Sequence, residues 1–320
     1  MHPKILIIRF SSFGDIIQCL ACVNPLKTRF PNSQLHWTTK SDFKDVVSSH
    51  PGVDKVWELG GARGLIELFK LAKNLRNENF DFIYDAHSNL RSTLLTIYLK
   101  LFSKTNFLKR PKERLKRFAL FYLGKNFFPI PYRGMKSYLK PLEKWGVEQK
   151  TLPCKLKLPE ISPKFKSFIS LVPSAAWEMK RWPLGHFKKL ICNLSHENFV
   201  VLGGPADTFC QELENIDPSR VQNMAGKLSL MESMAVVKNS KIIVSADTGI
   251  IHVADLIGVK GLSLIGPTAF GFSTGEHIKT LEVSLPCRPC SKDGRGKCSQ
   301  KVYQKCMVDI RPEMVAKNIK

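Results

Sequence analysis

Residues 242–252 read Ile-Ile-Val-Ser-Ala-Asp-Thr-Gly-Ile-Ile-His, an order of residue types suited to holding an anion. The β-branched start builds a buried parallel strand. Asp247, Thr248 and Gly249 then turn the chain into a helix carrying His252 and Asp255. Small residues at a strand's carboxyl end leave the next helix's first N–H groups open, and these, with the helix dipole, favour a phosphate. Asp247 and Thr248 are equally good helix caps, so the stretch alone also fits a helix with no ligand. Three other loops strengthen the anion reading. The loop 173–183 combines small residues (Ser174, Ala175, Ala176) with Lys180 and Arg181, whose charges neutralise phosphate oxygens. Gly203, Gly204, Pro205, Ala206 and Asp207 form another small-residue turn after an apolar run, and so do Gly266, Pro267 and Thr268. Together the four turns point to a nucleotide diphosphate. No Walker lysine motif is present, which argues against a P-loop hydrolase.

A second candidate lies near the N-terminus, where Ser11, Ser12, Phe13, Gly14 and Asp15 follow the apolar run 4–8. Gly14 permits a tight turn. Asp15 is there either as a helix N-cap or as a carboxylate exposed as a general base. The G-x-G-x-x-G dinucleotide pattern is absent.

The elements that must position these loops read as two similar α/β halves. Strands are expected at 4–8, 35–38, 55–59 and 82–84, with helices from Ile16 onward and at 64–77. A Pro- and Lys-rich stretch, 151–166, breaks the alternation and reads as a linker. Strands resume at 168–172, 199–202, 242–244 and 261–265, with helices at 184–195 and 230–238. The expectation is two doubly wound domains, 1–152 and 153–320, facing across a cleft, with every unusual loop at a strand's carboxyl end.

The 320 residues, 43% hydrophobic, are enough for two domains with large cores. The first apolar run is four residues long before Arg9, too short for a signal peptide. No stretch approaches the roughly 20 apolar residues of a membrane span. A soluble, cytoplasmic protein is expected. Its net charge of +22 attracts nucleic acid, anionic membrane or acidic glycolipid, and is densest at 104–117. A solvated lysine-rich face fits the charge as well. No zinc-finger spacing, RNP-like strand or recognition helix appears, so nucleic acid is not expected as a partner.

Several runs resemble glycosyltransferase family 9, the ADP-heptose:lipopolysaccharide heptosyltransferases. They are Arg9-Phe-Ser-Ser-Phe-Gly-Asp15, Ile83-Tyr-Asp-Ala-His-Ser-Asn-Leu-Arg-Ser92, Lys180-Arg-Trp-Pro183, Asp247-Thr-Gly-Ile-Ile-His252 and Gly266-Pro-Thr268. They occur in family order from residue 4 to about 315. The resemblance implies a GT-B fold of two Rossmann-like domains, acceptor on the first and nucleotide-sugar on the second, with a last helix at 312–319 crossing back onto the first. It implies that Asp15 is the catalytic base of an inverting transfer, and that Asp247, Thr248, Gly249 and His252 form the donor motif. Ser174, Lys180, Arg181, Gly266 and Thr268 complete the expected donor site, with Asp207 a loose substitute for a family glutamate. Acceptor contacts are expected from Ser12, Gly14, Arg63, Arg91 and Arg114. The implied donor is ADP-heptose, with no cofactor, and the implied acceptor an anionic lipopolysaccharide precursor met at the inner membrane's cytoplasmic surface. A transferase using another nucleotide-sugar, or a non-catalytic anion-binding protein of the same fold, are the alternatives.

Cys287, Cys290, Cys298 and Cys306 form a C-x2-C-x7-C-x7-C cluster. Reduced free thiols are the default in a cytoplasmic protein, and a structural zinc is the alternative. No metal is assigned to catalysis.

Overall fold

The computed structural model describes residues 2–60, 64–101 and 104–319. Packing divides the chain into two compact units: Met1–Glu113 with Met135–Lys157, and Arg114–Gly134 with Leu158–Lys320.

The first unit holds a parallel sheet of β1 (Lys4–Ile8), β2 (Gln34–Lys40), β3 (Lys55–Leu59), β4 (Phe82–Asp85) and β5 (Asn106–Lys109). Their order is β3-β2-β1-β4-β5. β1, Lys-Ile-Leu-Ile-Ile, is central and buried along nearly its whole length, as a strand covered on both faces must be. The chain winds outward from β1 through β2 and β3, then returns to β4 on β1's other side. β1 and β4 therefore flank the point where the winding reverses, with Ile8 in register with Asp85. Loops at such a point diverge and leave room for a ligand.

The second unit repeats the plan with β6 (Ile169–Val172), β7 (Phe199–Val201), β8 (Val221–Asn223), β9 (Ile242–Ala246), β10 (Gly261–Leu264) and β11 (Ile278–Leu281). The order β11-β10-β9-β6-β7-β8 puts the reversal between β6 and β9. The Leu230–Lys238 helix starts at Ser229, which closes a capping box with Glu232.

Two features of this division depart from the sequence reading. Residues 114–134 precede the expected linker yet pack with the second unit. Phe128 and Tyr132 each place a ring 5.0 Å from that of Phe270, and the Arg117 guanidinium lies 4.8 Å over the same ring. The segment forms one wall of a cavity of about 720 Å³, opposite residues 268–289. The helix expected to return to the first domain, observed as Pro312–Lys317, instead belongs to the second unit's core. Val315 and Ala316 are buried there, the helix packs on the Leu184–Asn193 helix, and Trp182 Nε1 donates to the Ile310 carbonyl at 2.7 Å.

Candidate active site

In the first unit, the loop after β1 enters the Phe13–Leu20 helix with Ser12 as N-cap, so Asp15 stands in the first turn at N3 rather than at the cap itself. Gly14 is likewise helical, and is not among the positive-φ glycines, so it makes no left-handed turn. The Asp15 carboxylate is held from several sides. Arg9 Nη2 lies 2.6 Å from Oδ2, Ser12 Oγ donates to Oδ2 at 2.8 Å, and Tyr138 Oη donates to Oδ1 at 2.9 Å. Arg9 is itself fixed by donating to the Ala86 carbonyl beyond β4, at 2.9 Å. The Arg110 guanidinium stacks 3.9 Å over the Tyr138 ring. Burial works against ionisation of Asp15, but Arg9, Ser12 and Tyr138 outweigh it and hold the carboxyl below its usual range. Even so, 39% of the side chain stays accessible. The result is an ionised, oriented carboxylate with an open edge.

Its neighbours stay in fixed protonation states. Burial, then Asp15, pushes the Tyr138 phenol well up, so it remains a donor. Burial, then Arg9, pulls the His87 imidazole down to about 4, so this ring, edge-on to Phe10, carries no charge at neutral pH. Asp85, fully buried at the end of β4, organises the second loop by accepting from the His87 and Ser88 N–H groups and from Ser92 Oγ.

In the second unit, the loops after β6, β9 and β10 converge on Asp247. Lys180 Nζ lies 3.0 Å from Oδ2, Thr268 Oγ1 donates to Oδ2 at 3.0 Å, and His252 Nε2 stands at ion-pair distance, 3.7 Å from Oδ1. Burial alone would raise the Asp247 pKa; Lys180, with His252, drives it far below the carboxylate range. Lys180 and Asp247 each keep only 14% exposure. Two glycines permit this closeness. A Cβ on Gly271 would sit 2.0 Å from Asp247 Cγ, and one on Gly294 (φ +94°) would sit 2.5 Å from Lys180 Cγ. Thr248 caps the Gly249–Ile257 helix and pairs its hydroxyl with Ser245 at 2.9 Å. His252 Nδ1 is buried and has no hydrogen-bond partner among the described residues.

The structure thus brings together Lys180, Asp247, His252 and Thr268, with Thr248 and Gly249 at the adjoining helix start. It does not bring Arg181 to them. That guanidinium donates to the Ala175 carbonyl at 3.2 and 3.1 Å, lies 3.7 Å from Asp207 and covers the Phe209 ring, so it braces its own loop. Asp207 in turn accepts from the Gly204 N–H, closing the third loop on itself. Ser174 is half-buried at the end of β6. Gly266 is small because of packing: a Cβ there would meet Met307 Sδ at 2.4 Å. Arg91 is exposed on the Leu90–Leu101 helix, Arg114 is exposed at the start of a helix belonging to the second unit, and Arg63 lies outside the described residues.

The thiols of Cys287, Cys290 and Cys298 lie near enough to act on that of Cys306. Among the described residues, no group of three or more His, Cys, Asp or Glu side chains is placed to hold an ion. Cys306 is committed to the second unit's core, where burial pushes its thiol up to about 11. The backbone of the cysteine-rich loop also borders the site, with Cys290 and Ser291 N–H donating to the Pro267 carbonyl and Gly294 lying against Lys180.

Arg9 and Tyr138 are the contacts that sequence reasoning missed. Arg9 stands in the same run as Asp15, within reach of it along the chain; nothing local marks Tyr138, 123 residues away.

Residues 68–304 match the family model of glycosyltransferase family 9 (heptosyltransferase). The chain belongs to glycosyltransferase family 9. It is 24% identical to lipopolysaccharide heptosyltransferase 1 of Pseudomonas aeruginosa, over 90% of this chain and 86% of that protein. It is 25% identical to lipooligosaccharide heptosyltransferase 2 of Campylobacter jejuni, over 96% and 95%. Among solved structures, an E. coli ADP-heptose lipopolysaccharide heptosyltransferase II superposes with a TM-score of 0.73 at 18% identity, covering 99% of this chain and 97% of that one. An E. coli heptosyltransferase solved with ADP gives 0.70 at 18%, covering 99% and 98%. These likenesses show the GT-B fold of this family 9 glycosyltransferase.

Proposed function

We propose that this glycosyltransferase moves a heptose from ADP-heptose onto the inner core of lipopolysaccharide, inverting the anomeric centre, with Asp15 as general base. The observation that carries the reading is the state of Asp15: ionised, fixed by Arg9 and Tyr138, and open along one edge. An acceptor hydroxyl meeting that edge attacks the anomeric carbon as the bond to ADP breaks. The departing electron pair goes to the diphosphate, and the hydroxyl proton goes to Asp15. A carboxylate of low pKa suffices, because an oxygen bonding to an oxocarbenium-like carbon is strongly acidic by the time its proton leaves. Lys180 and the first N–H groups of the Gly249–Ile257 helix supply positive charge for the leaving diphosphate, so the chemistry requires no metal. The net charge of +22 suits an acceptor bearing phosphates and acidic sugars. The relatives' names support the heptose and the lipopolysaccharide, and the structures named with ADP and ADP-heptose support the nucleotide. No described helix is long and apolar enough to cross a membrane, and we place the enzyme peripherally at the inner membrane's cytoplasmic face.

The test is a thermal-shift panel of ADP, UDP, GDP and CMP, followed by transfer from the preferred nucleotide's heptose to a Kdo-bearing lipid A acceptor. Selective stabilisation by ADP and a product of inverted anomeric configuration are expected. Retention of configuration would reject the mechanism, and preference for another nucleotide would reject the donor.

A further inference from the structure

The Leu90–Leu101 helix is amphipathic in the wrong sense for a surface helix. Its inward face carries Ser92, Leu95, Thr96 and Leu99, and the two hydroxyls are satisfied there by Asp85 and the Thr93 carbonyl. Its outward face carries Leu90, Leu94, Ile97 and Leu101, between 42% and 76% exposed. These fall at i, i+4, i+7 and i+11, a continuous aliphatic stripe. The adjacent Gly64–Arg76 helix packs against it and exposes Leu65, Ile66 and Phe69 to between 58% and 62%. Seven large apolar side chains on two neighbouring helices make a patch that isolated surface residues do not.

Charge selects the occupant. The two helices carry Lys70, Lys73, Arg76, Arg91 and Lys100 against one acid, Glu67, which lies 3.6 Å from Lys70. Two copies of so basic a face would repel each other. An anionic bilayer instead takes the aliphatic side chains below its headgroups and leaves the cations at the phosphates.

We propose that the outward faces of the Gly64–Arg76 and Leu90–Leu101 helices are the surface on which this protein docks to an anionic phospholipid bilayer. The proposal rests on the reading that its acceptor is lipid-anchored, and it names the surface that reaches such an acceptor. The stripe then rides in the interfacial layer, holding the first unit against the leaflet that carries the acceptor.

The experiment is co-sedimentation of the full chain with vesicles of phosphatidylethanolamine and phosphatidylglycerol, for the wild type and the double variant Leu94→Glu/Ile97→Glu. Both positions are exposed, so the variant is expected to keep the wild-type Tm. Its partition onto vesicles falls at least tenfold, while the wild type binds these vesicles better than phosphatidylcholine alone. Equal partition of the two proteins overturns the proposal. So does a wild type that self-associates through this face, with the variant monomeric and vesicle binding unchanged. Turnover separates this claim from the functional one. The variant keeps the wild-type rate on a deacylated acceptor and loses rate on a vesicle-embedded one. Absence of turnover by the wild type on both acceptors rejects the transferase reading, and the vesicle partition still decides the docking surface.

Discussion

Arg9–Asp15 and Lys180–Asp247 occupy corresponding places in the two sheets, each where the winding reverses, and both carboxylates are driven to the ionised form by an adjacent cation. What differs is access. Asp15 keeps 39% of its side chain open, and Asp247 keeps 14%, closed in by Thr268 and the backbone at Gly271. A closed carboxylate positions its lysine but does not meet an incoming hydroxyl; an open one does. In the proposed mechanism the same local device therefore serves proton transfer in one unit and charge placement in the other.

Asp15→Asn tests that division most severely. It keeps the shape and removes the proposed base, so kcat is expected to fall by about 10²–10⁴ with ADP binding intact, measured by steady-state kinetics and calorimetry. Lys180→Met comes next. It removes the charge proposed to meet the diphosphate and leaves Asp247 buried without its cation, so donor affinity is expected to drop by roughly 10- to 100-fold, with a lower Tm. Tyr138→Phe is milder. It deletes the 2.9 Å bond that favours the Asp15 carboxylate, so the acid limb of kcat/KM moves to higher pH and kcat falls by less than about tenfold. The sign for stability agrees. Because Asp15's folded pKa lies below its unfolded value, its contribution is complete above about pH 4 and is lost as pH falls through the folded value. In Tyr138→Phe the loss still starts at about pH 4 but is smaller and ends at higher pH, visible as a flatter Tm-against-pH curve on the acid side. The smallest expected effect is that of a chelator: EDTA leaves turnover unchanged if Lys180 and the Gly249–Ile257 helix start carry the leaving-group charge, as proposed. A turnover that collapses in EDTA and returns with a divalent cation would remove that assignment.

Much of this was legible in the sequence where a signal is local. Lys4–Ile8, Lys55–Leu59 and Leu230–Lys238 are apolar or periodic runs bounded by turn residues, and they fold within the expected limits. β8, β11 and β5 were not foreseen. Val221–Asn223 is only three residues long, Ile278–Leu281 is fully buried only at its ends, and Asn106–Lys109 has polar termini. In the site, Asp15, Lys180, Asp247 and Thr268 were legible because each follows a strand in a loop of unusual composition. Arg181 reads as the equal of Lys180 because adjacent cations look equivalent in a sequence. The 3-10 turn Glu178–Lys180 ends between them and sends the two side chains to different partners. Tyr138 was invisible because only the tertiary fold brings it to Asp15. The last helix was misassigned because Val315 and Ala316 carry no mark of which core they fill.

The most direct measurement is a side-by-side titration of ADP into Asp15→Asn and Lys180→Met, with turnover recorded for both. Asp15→Asn is expected to bind ADP like the wild type and fail to transfer, while Lys180→Met binds ADP weakly. An Asp15→Asn protein that transfers at the wild-type rate, or that no longer binds ADP while Lys180→Met still does, would contradict the assignment of the two carboxylate sites.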